Sequence, residues 1–266
     1  MSFYVATLIL GTWARFPLVQ SGIQWTNLIA VSLATIITVA IWERGKWNIG
    51  LLVPPRLAFP ELLRGLLWGF LLISGCAALI VLSTNVRHEP GRGFPWLELL
   101  AVFLPAVFHE ELLFRGYPFQ KLLRWNRPFA LLVVSLIFAG LHAGNSSATA
   151  IGLVNVFLGG LLLSLAYERY GRLWFPIGLH LAWNLTSGPI LGHEVSGYES
   201  MRTVLVEVGS GSVLLTGGEF GIEGSIWMTL TELAAIALMI RLPPSSMPNM
   251  IRAERVQHAG MKEQDQ

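Results

Sequence analysis

Apolar runs of helix-spanning length divide the chain, separated by short breaks rich in charge, glycine or proline. A hydrocarbon core of ~30 Å takes about 20 residues of helix. The first run, 25–42, has Trp25 and Trp42 at its ends, where an interfacial aromatic belt places them. Arg44, Lys46 and Arg56 follow, and Pro54-Pro55 marks a loop among them. The later runs are 62–84, 96–121, 128–142, 148–167, 174–190 and 222–240. The third is predicted to continue as one helix from Trp96, behind Pro95, to about Lys121. Before the last run lies a polar, glycine-rich loop, 191–221, with Glu194, Glu199, Glu207 and Glu219 against Arg202. Residues 3–13 are also apolar and allow one extra short helix. They lack a preceding basic stretch and a small-residue cleavage site, so they make a poor signal peptide. The pattern predicts an all-α fold, a polytopic membrane bundle of seven or eight transmembrane helices. It divides the chain into an N-terminal segment 1–24, an integral bundle 25–241 and a tail 242–266.

Composition agrees with the pattern. The chain is 53% hydrophobic and only 13% charged, with a mean hydropathy of +0.59, whereas a soluble domain is about a quarter charged. A net charge of +2 gives no footprint for nucleic acid. The single cysteine, Cys76, lies in an apolar run and has no partner for an internal disulfide. If the run 25–42 passes from outside to inside, thirteen Lys and Arg fall on the inner side and four on the outer. That bias predicts a multi-pass cell-membrane protein with a cytoplasmic C-terminus. Gly152, Gly159, Gly160 and Ser164 on the fifth run have the spacing of small residues that lets membrane helices approach closely, and are read as packing.

Against this background the polar residues inside the runs carry the information. Ionised groups at membrane depth cost about 2.5–3.5 kcal/mol each on insertion scales. The third run nevertheless holds Glu110-Glu111-Leu112-Leu113-Phe114-Arg115. Glu111 and Arg115 are i and i+4, so they share a helix face and can pair; their expected role is structural. Glu110 is turned about 100° away and lacks a local partner, which suits a proton acceptor and donor. The fourth run ends at His142, one turn after Phe138, and the polar Gly144-Asn145-Ser146-Ser147 follows. On the sixth run His180 and Asn184 are again i and i+4. Measured from the inner side, His142 falls about 20 Å up its helix and His180 ~9 Å up its own, so staggered or tilted helices are needed to bring them level. His109 points to a different face from Glu110. His88, His193 and His258 fall in loops or the tail and are expected to be solvated.

These parts assemble into hydrolytic chemistry. A carboxylate and a histidine can activate a water for attack on a peptide carbonyl. A second histidine and an asparagine amide can donate to the developing oxyanion, often the largest single catalytic term. Alternatively Glu110, His142 and His180 bind a zinc ion that acidifies its water; the cofactor stays undetermined between these two. His109-Glu110 is followed by Glu111-Leu112-Leu113, so the HExxH helix of many zinc proteases is absent. No serine or cysteine stands in a nucleophile setting.

Three motifs occur in order: EExxxR at Glu110–Arg115, FxxxH from Phe138 to His142, and HxxxN from His180 to Asn184. In these the stretch 96–189 resembles the CAAX-protease and bacteriocin-processing family, also called the Abi or type II CAAX prenyl protease family. The resemblance implies an intramembrane endopeptidase, glutamate-type or metallo, acting on a membrane-associated peptide or lipidated protein. It implies Glu110 and His142 as water-activating residues and His180 and Asn184 as oxyanion donors, with Glu111, Arg115 and Phe138 in support. Rival expectations are a non-catalytic immunity or partner-binding protein of the same fold, or a proton-coupled transporter. The lack of internal repeats weighs against the transporter.

Overall fold

A computed structural model describes residues 17–45 and 47–242. The extra helix considered for 3–13 and the tail beyond Leu242 lie outside the described residues. Eight helices of nine or more residues form the body: α1 (Pro17–Trp42), α2 (Pro55–Ser83), α3 (Leu104–Arg115), α4 (Tyr117–Trp125), α5 (Arg127–His142), α6 (Ala150–Tyr170), α7 (Trp174–Leu185) and α8 (Ile226–Arg241). Two short strands, β1 (Arg87–Pro90) and β2 (Leu205–Val208), pair antiparallel. The chain is thus mostly helical. Val19–Trp42, Pro55–Ser83 and Ala150–Tyr170 are long and apolar enough to cross a membrane, while the apolar α5 has only 16 residues.

The helix limits follow local chemistry. Asn126 caps α5 by accepting from the Phe129 N–H at 3.0 Å, with Pro128 in the first turn where no donor is missed. Thr149 caps α6 through the Gly152 N–H at 3.0 Å, and Gly171 ends it in the left-handed region at φ 68°. Ser225 caps α8 through the Met228 N–H at 3.1 Å.

One expectation needs correction. The run 96–121 is not one helix. It opens as a single turn, Trp96–Glu98, passes through a π-helical turn at Leu99–Phe103, and becomes regular only in α3. It then breaks at Gly116, where ψ is −148°, and Pro118 starts α4 within its first turn. A Cβ on Gly116 would lie 1.9 Å from the Leu112 carbonyl, so the break requires glycine. The break ends α3 one residue after Arg115, so the charged motif closes its helix. The sixth run likewise turns π-helical at Thr186–Ile190.

Helix α2 packs along α7, α5 along α6, α8 against α6 and α2, and α1 against α3. The α2–α7 contact is backbone to backbone: a Cβ on Gly65 would stand 2.2 Å from the Phe175 carbonyl, and one on Gly178 would stand 2.3 Å from that of Leu62. Gly65 and Gly69 form a small-xxx-small pair that matches this crossing. Gly178→Val should therefore lower the thermal midpoint in detergent, the overpacking costing about 1–3 kcal/mol. An unchanged midpoint would mean that the crossing yields without cost. Apolar side chains stay exposed along α1, α2, α5 and α8, including Ile36, Leu71, Leu136 and Leu233, the surface a bilayer would cover.

The loop 191–221 keeps many exposed positions but is anchored to the helices. It folds over the bundle end at which α2, α5 and α7 finish. Tyr198 donates to the buried Glu98 at 2.5 Å, and the Trp183 indole donates to Glu223 at 2.6 Å. His88 and His193 are not solvated. His193 is 2% exposed and His88 partly buried, and they face each other across 3.2 Å.

Candidate active site

Three helices bring Glu110, Glu111, Arg115, Phe138, His142 and His180 together. Arg115 and Glu111, both fully buried, pair at 3.1 Å within α3. Arg115 Nη2 also donates to the Gly160 carbonyl of α6 at 2.8 Å, which accepts from Ser164 Oγ at the same distance. That reach depends on α5 and α6 lying close: a Cβ on Gly160 would come within 3.2 Å of Phe138 and 3.3 Å of Ser135. The guanidinium stands 5.0 Å from the centre of the Phe138 ring, a cation–π distance.

Glu111 does more than pair with Arg115. Its Oε1 also accepts from His180 Nδ1 of α7 at 2.8 Å. This fixes His180 Nδ1 as a donor and turns Nε2 toward Glu110, whose Oε2 lies 3.7 Å away. Glu110 Oε2 has no hydrogen-bond partner among the described residues, and the Glu110 side chain keeps 21% exposure. Glu110 Oε2 therefore stands free of hydrogen bonds among the described residues, facing the His180 imidazole.

His142, at the end of α5, stands 2.8 Å by Nδ1 from the Phe138 carbonyl. A carbonyl only accepts, so Nδ1 carries the proton and Nε2 is left with a lone pair in the neutral ring. His109 is held the same way, by Nδ1 to the Pro105 carbonyl at 3.1 Å. The Phe138 ring lies 4.6 Å from that of His142 and 6.3 Å from that of His180. Phe138 thus lies within ring contact of both histidines. Asn184, one turn after His180, is partly exposed, and its side chain makes no hydrogen bond among the described residues.

Among the described residues no three His, Cys, Asp or Glu side chains converge as metal ligands, the set Glu110, His142 and His180 included. The Nδ1 contacts of His180 and His142 leave both Nε2 atoms available, but the three side chains do not meet at one point, and this arrangement does not fit a zinc ion.

Sequence reasoning missed the Glu111–His180 bond, because partners 69 residues apart leave no local spacing. It also missed Glu61, which makes a buried ion pair with Arg172 beside the α2–α7 crossing.

A 35% identity over 88 residues relates the chain to a protein of Escherichia coli described as an uncharacterized 24.3 kDa protein, covering 32% of this chain and 40% of that one. The matching part thus spans less than half of that relative. No solved structure matches the chain. A family model described as type II CAAX prenyl endopeptidase Rce1-like matches residues 92–186, a stretch that contains all three motifs. Residues 92–186 are thus similar to the type II CAAX prenyl endopeptidase Rce1-like family.

Proposed function

We propose that this chain is an intramembrane endopeptidase of glutamate type, which hydrolyses a peptide bond in a membrane-associated peptide or lipidated protein. The observation that carries the proposal is the group drawn from α3, α5 and α7: Glu110 Oε2, without a hydrogen bond among the described residues, facing His180 Nε2 at 3.7 Å, with His142 holding a free Nε2.

Glu110 and His142 Nε2 accept hydrogen bonds from one water and take its proton as it attacks the scissile carbonyl. The carbonyl becomes an oxyanion that accepts from His180 Nε2–H and the Asn184 amide. To donate from both nitrogens, the His180 ring carries both protons, and Glu111 at 2.8 Å and Glu110 at 3.7 Å supply the countercharge. The C–N bond then breaks, and the proton taken from water passes to the leaving amine. Glu111 is the positioning residue for His180, and Arg115 neutralises Glu111 and ties it to α6. Phe138 spaces the two histidines.

Around this site we place seven or eight spans with the C-terminus on the cytoplasmic side, supported by the positive charge bias. The substrate would enter laterally, past the apolar surface of Leu136, Gly140 and Phe157 between α5 and α6 beside His142.

The test is cleavage of membrane peptides, a prenylated tail among them, by purified chain in liposomes. Wild type should cut. Asn184→Ala should keep its thermal midpoint and lose turnover by about 10²–10³, the size of one oxyanion donor. A wild-type rate would remove Asn184 from the site. No cleavage of any peptide would favour a non-catalytic partner-binding protein, and a proton flux in the same liposomes would favour a transporter.

A further inference from the structure

At the capped end of the bundle a second polar cluster lies outside the three motifs. β1 and β2 pair with His88 directly opposite Glu207, so the two side chains share one face of the ribbon. His193 lies over that face. Its Nδ1 stands 2.6 Å from Glu207 Oε2, and its Nε2 stands 3.2 Å from His88 Nε2. The two rings are steeply inclined, at 72°, with centres 5.2 Å apart.

The position is built rather than incidental. The His193 N–H donates to the Ser187 carbonyl at 3.0 Å and the Gly192 N–H to that of Gly188 at 2.8 Å, so the loop continues the π turn that ends α7. Gly192 has φ 82°, and a Cβ there would stand 2.4 Å from the Leu205 carbonyl, so the loop lies hard against β2. His193 is 2% exposed, whereas His88 is partly open.

Two chemistries suit nitrogens 3.2 Å apart. One is a single hydrogen bond between the rings. The other is a shared metal ion, since two imidazoles at 2.0–2.1 Å on a tetrahedral ion stand about 3.3 Å apart. Glu207 favours the second. Its carboxylate puts a negative charge 2.6 Å from the far nitrogen of His193, off the line of a hydrogen bond, and an outer-shell carboxylate in that position raises the basicity of a metal-bound imidazole.

We propose that His88 and His193 bind one divalent transition metal ion through their Nε2 atoms, with Glu207 orienting His193 and water completing the coordination. Imidazole ligands select copper and zinc over magnesium and calcium, and Cu²⁺ over Zn²⁺. The ion would clasp β1 to the exit of α7. The site is independent of the proposed peptidase reaction. Chelator sensitivity of cleavage would then report this clasp as readily as a catalytic ion.

The experiment is titration of the chelator-stripped full chain, free of any histidine tag, with Cu²⁺ and then Zn²⁺ in detergent micelles. One Cu²⁺ per chain is expected, with two imidazole nitrogens in its electron paramagnetic resonance spectrum, displaced only by a large excess of Zn²⁺ and not by Mg²⁺. His88→Asn should weaken binding at least tenfold and Glu207→Gln by about 10–100-fold. A double variant His142→Ala/His180→Ala should bind as wild type does. The proposal is overturned if wild type binds no ion, if the spectrum lacks two imidazole nitrogens, or if binding survives His88→Asn. The wild-type spectrum decides alone if a variant does not fold.

Discussion

Glu110→Gln should leave the protein folded and lower peptide turnover by about 10²–10⁴, the usual worth of a positioned general base. At 1.36 kcal/mol per decade this is roughly 2.7–5.5 kcal/mol of transition-state stabilisation. The two halves of the expectation have separate grounds. Fold is spared because Glu110 Oε2 makes no hydrogen bond among the described residues, so an amide of equal size breaks none at that oxygen. Turnover falls because an amide oxygen cannot take the proton of the attacking water. The check is a thermal midpoint in detergent beside product quantified by mass spectrometry, wild type and variant at equal loading in liposomes. A variant that cuts at the wild-type rate would make Glu110 a packing residue. A variant with a collapsed midpoint would give it the structural part assigned to its neighbour.

That contrast between adjacent carboxylates shows what the sequence conveys. Helical spacing is local, so Glu111 with Arg115, Phe138 with His142, and His180 with Asn184 are readable as shared faces. The split of the two glutamates onto different faces is readable too. The bond from Glu111 to His180 is not, because nothing between α3 and α7 encodes their contact. The interruption of the third run was legible in Gly116 followed by Pro118, but continuous hydrophobicity outweighed it. The Gly65–Gly69 pair was equally visible. The strands were hidden for a physical reason: Arg87–Pro90 is four residues long with charged and proline positions, so no apolar alternation marks it. Without that ribbon His88 reads as a loop histidine. Its burial comes from a partner 105 residues away.

Arg115→Ala should be the most damaging single change in the fold. Arg115 is fully buried, and its guanidinium meets Glu111 at 3.1 Å, the Gly160 carbonyl at 2.8 Å and the Phe138 ring at 5.0 Å. Removing it leaves the buried Glu111 carboxylate with His180 as its remaining partner among the described residues. Breaking one side of a buried pair costs about 3–5 kcal/mol, a large share of the roughly 5–15 kcal/mol that holds a typical protein folded. Folded yield and thermal midpoint in detergent should both drop sharply, and a wild-type midpoint would refute the bracing role. The double variant Glu111→Leu/Arg115→Met separates stability from chemistry. Replacing a buried pair by apolar residues of similar size is often neutral, so the midpoint should recover. Turnover should not, because His180 would lose the carboxylate that holds its Nδ1 proton and aims Nε2 at Glu110. Recovery of both would confine Glu111 to charge balance, and His180 would then owe its orientation to α7 alone.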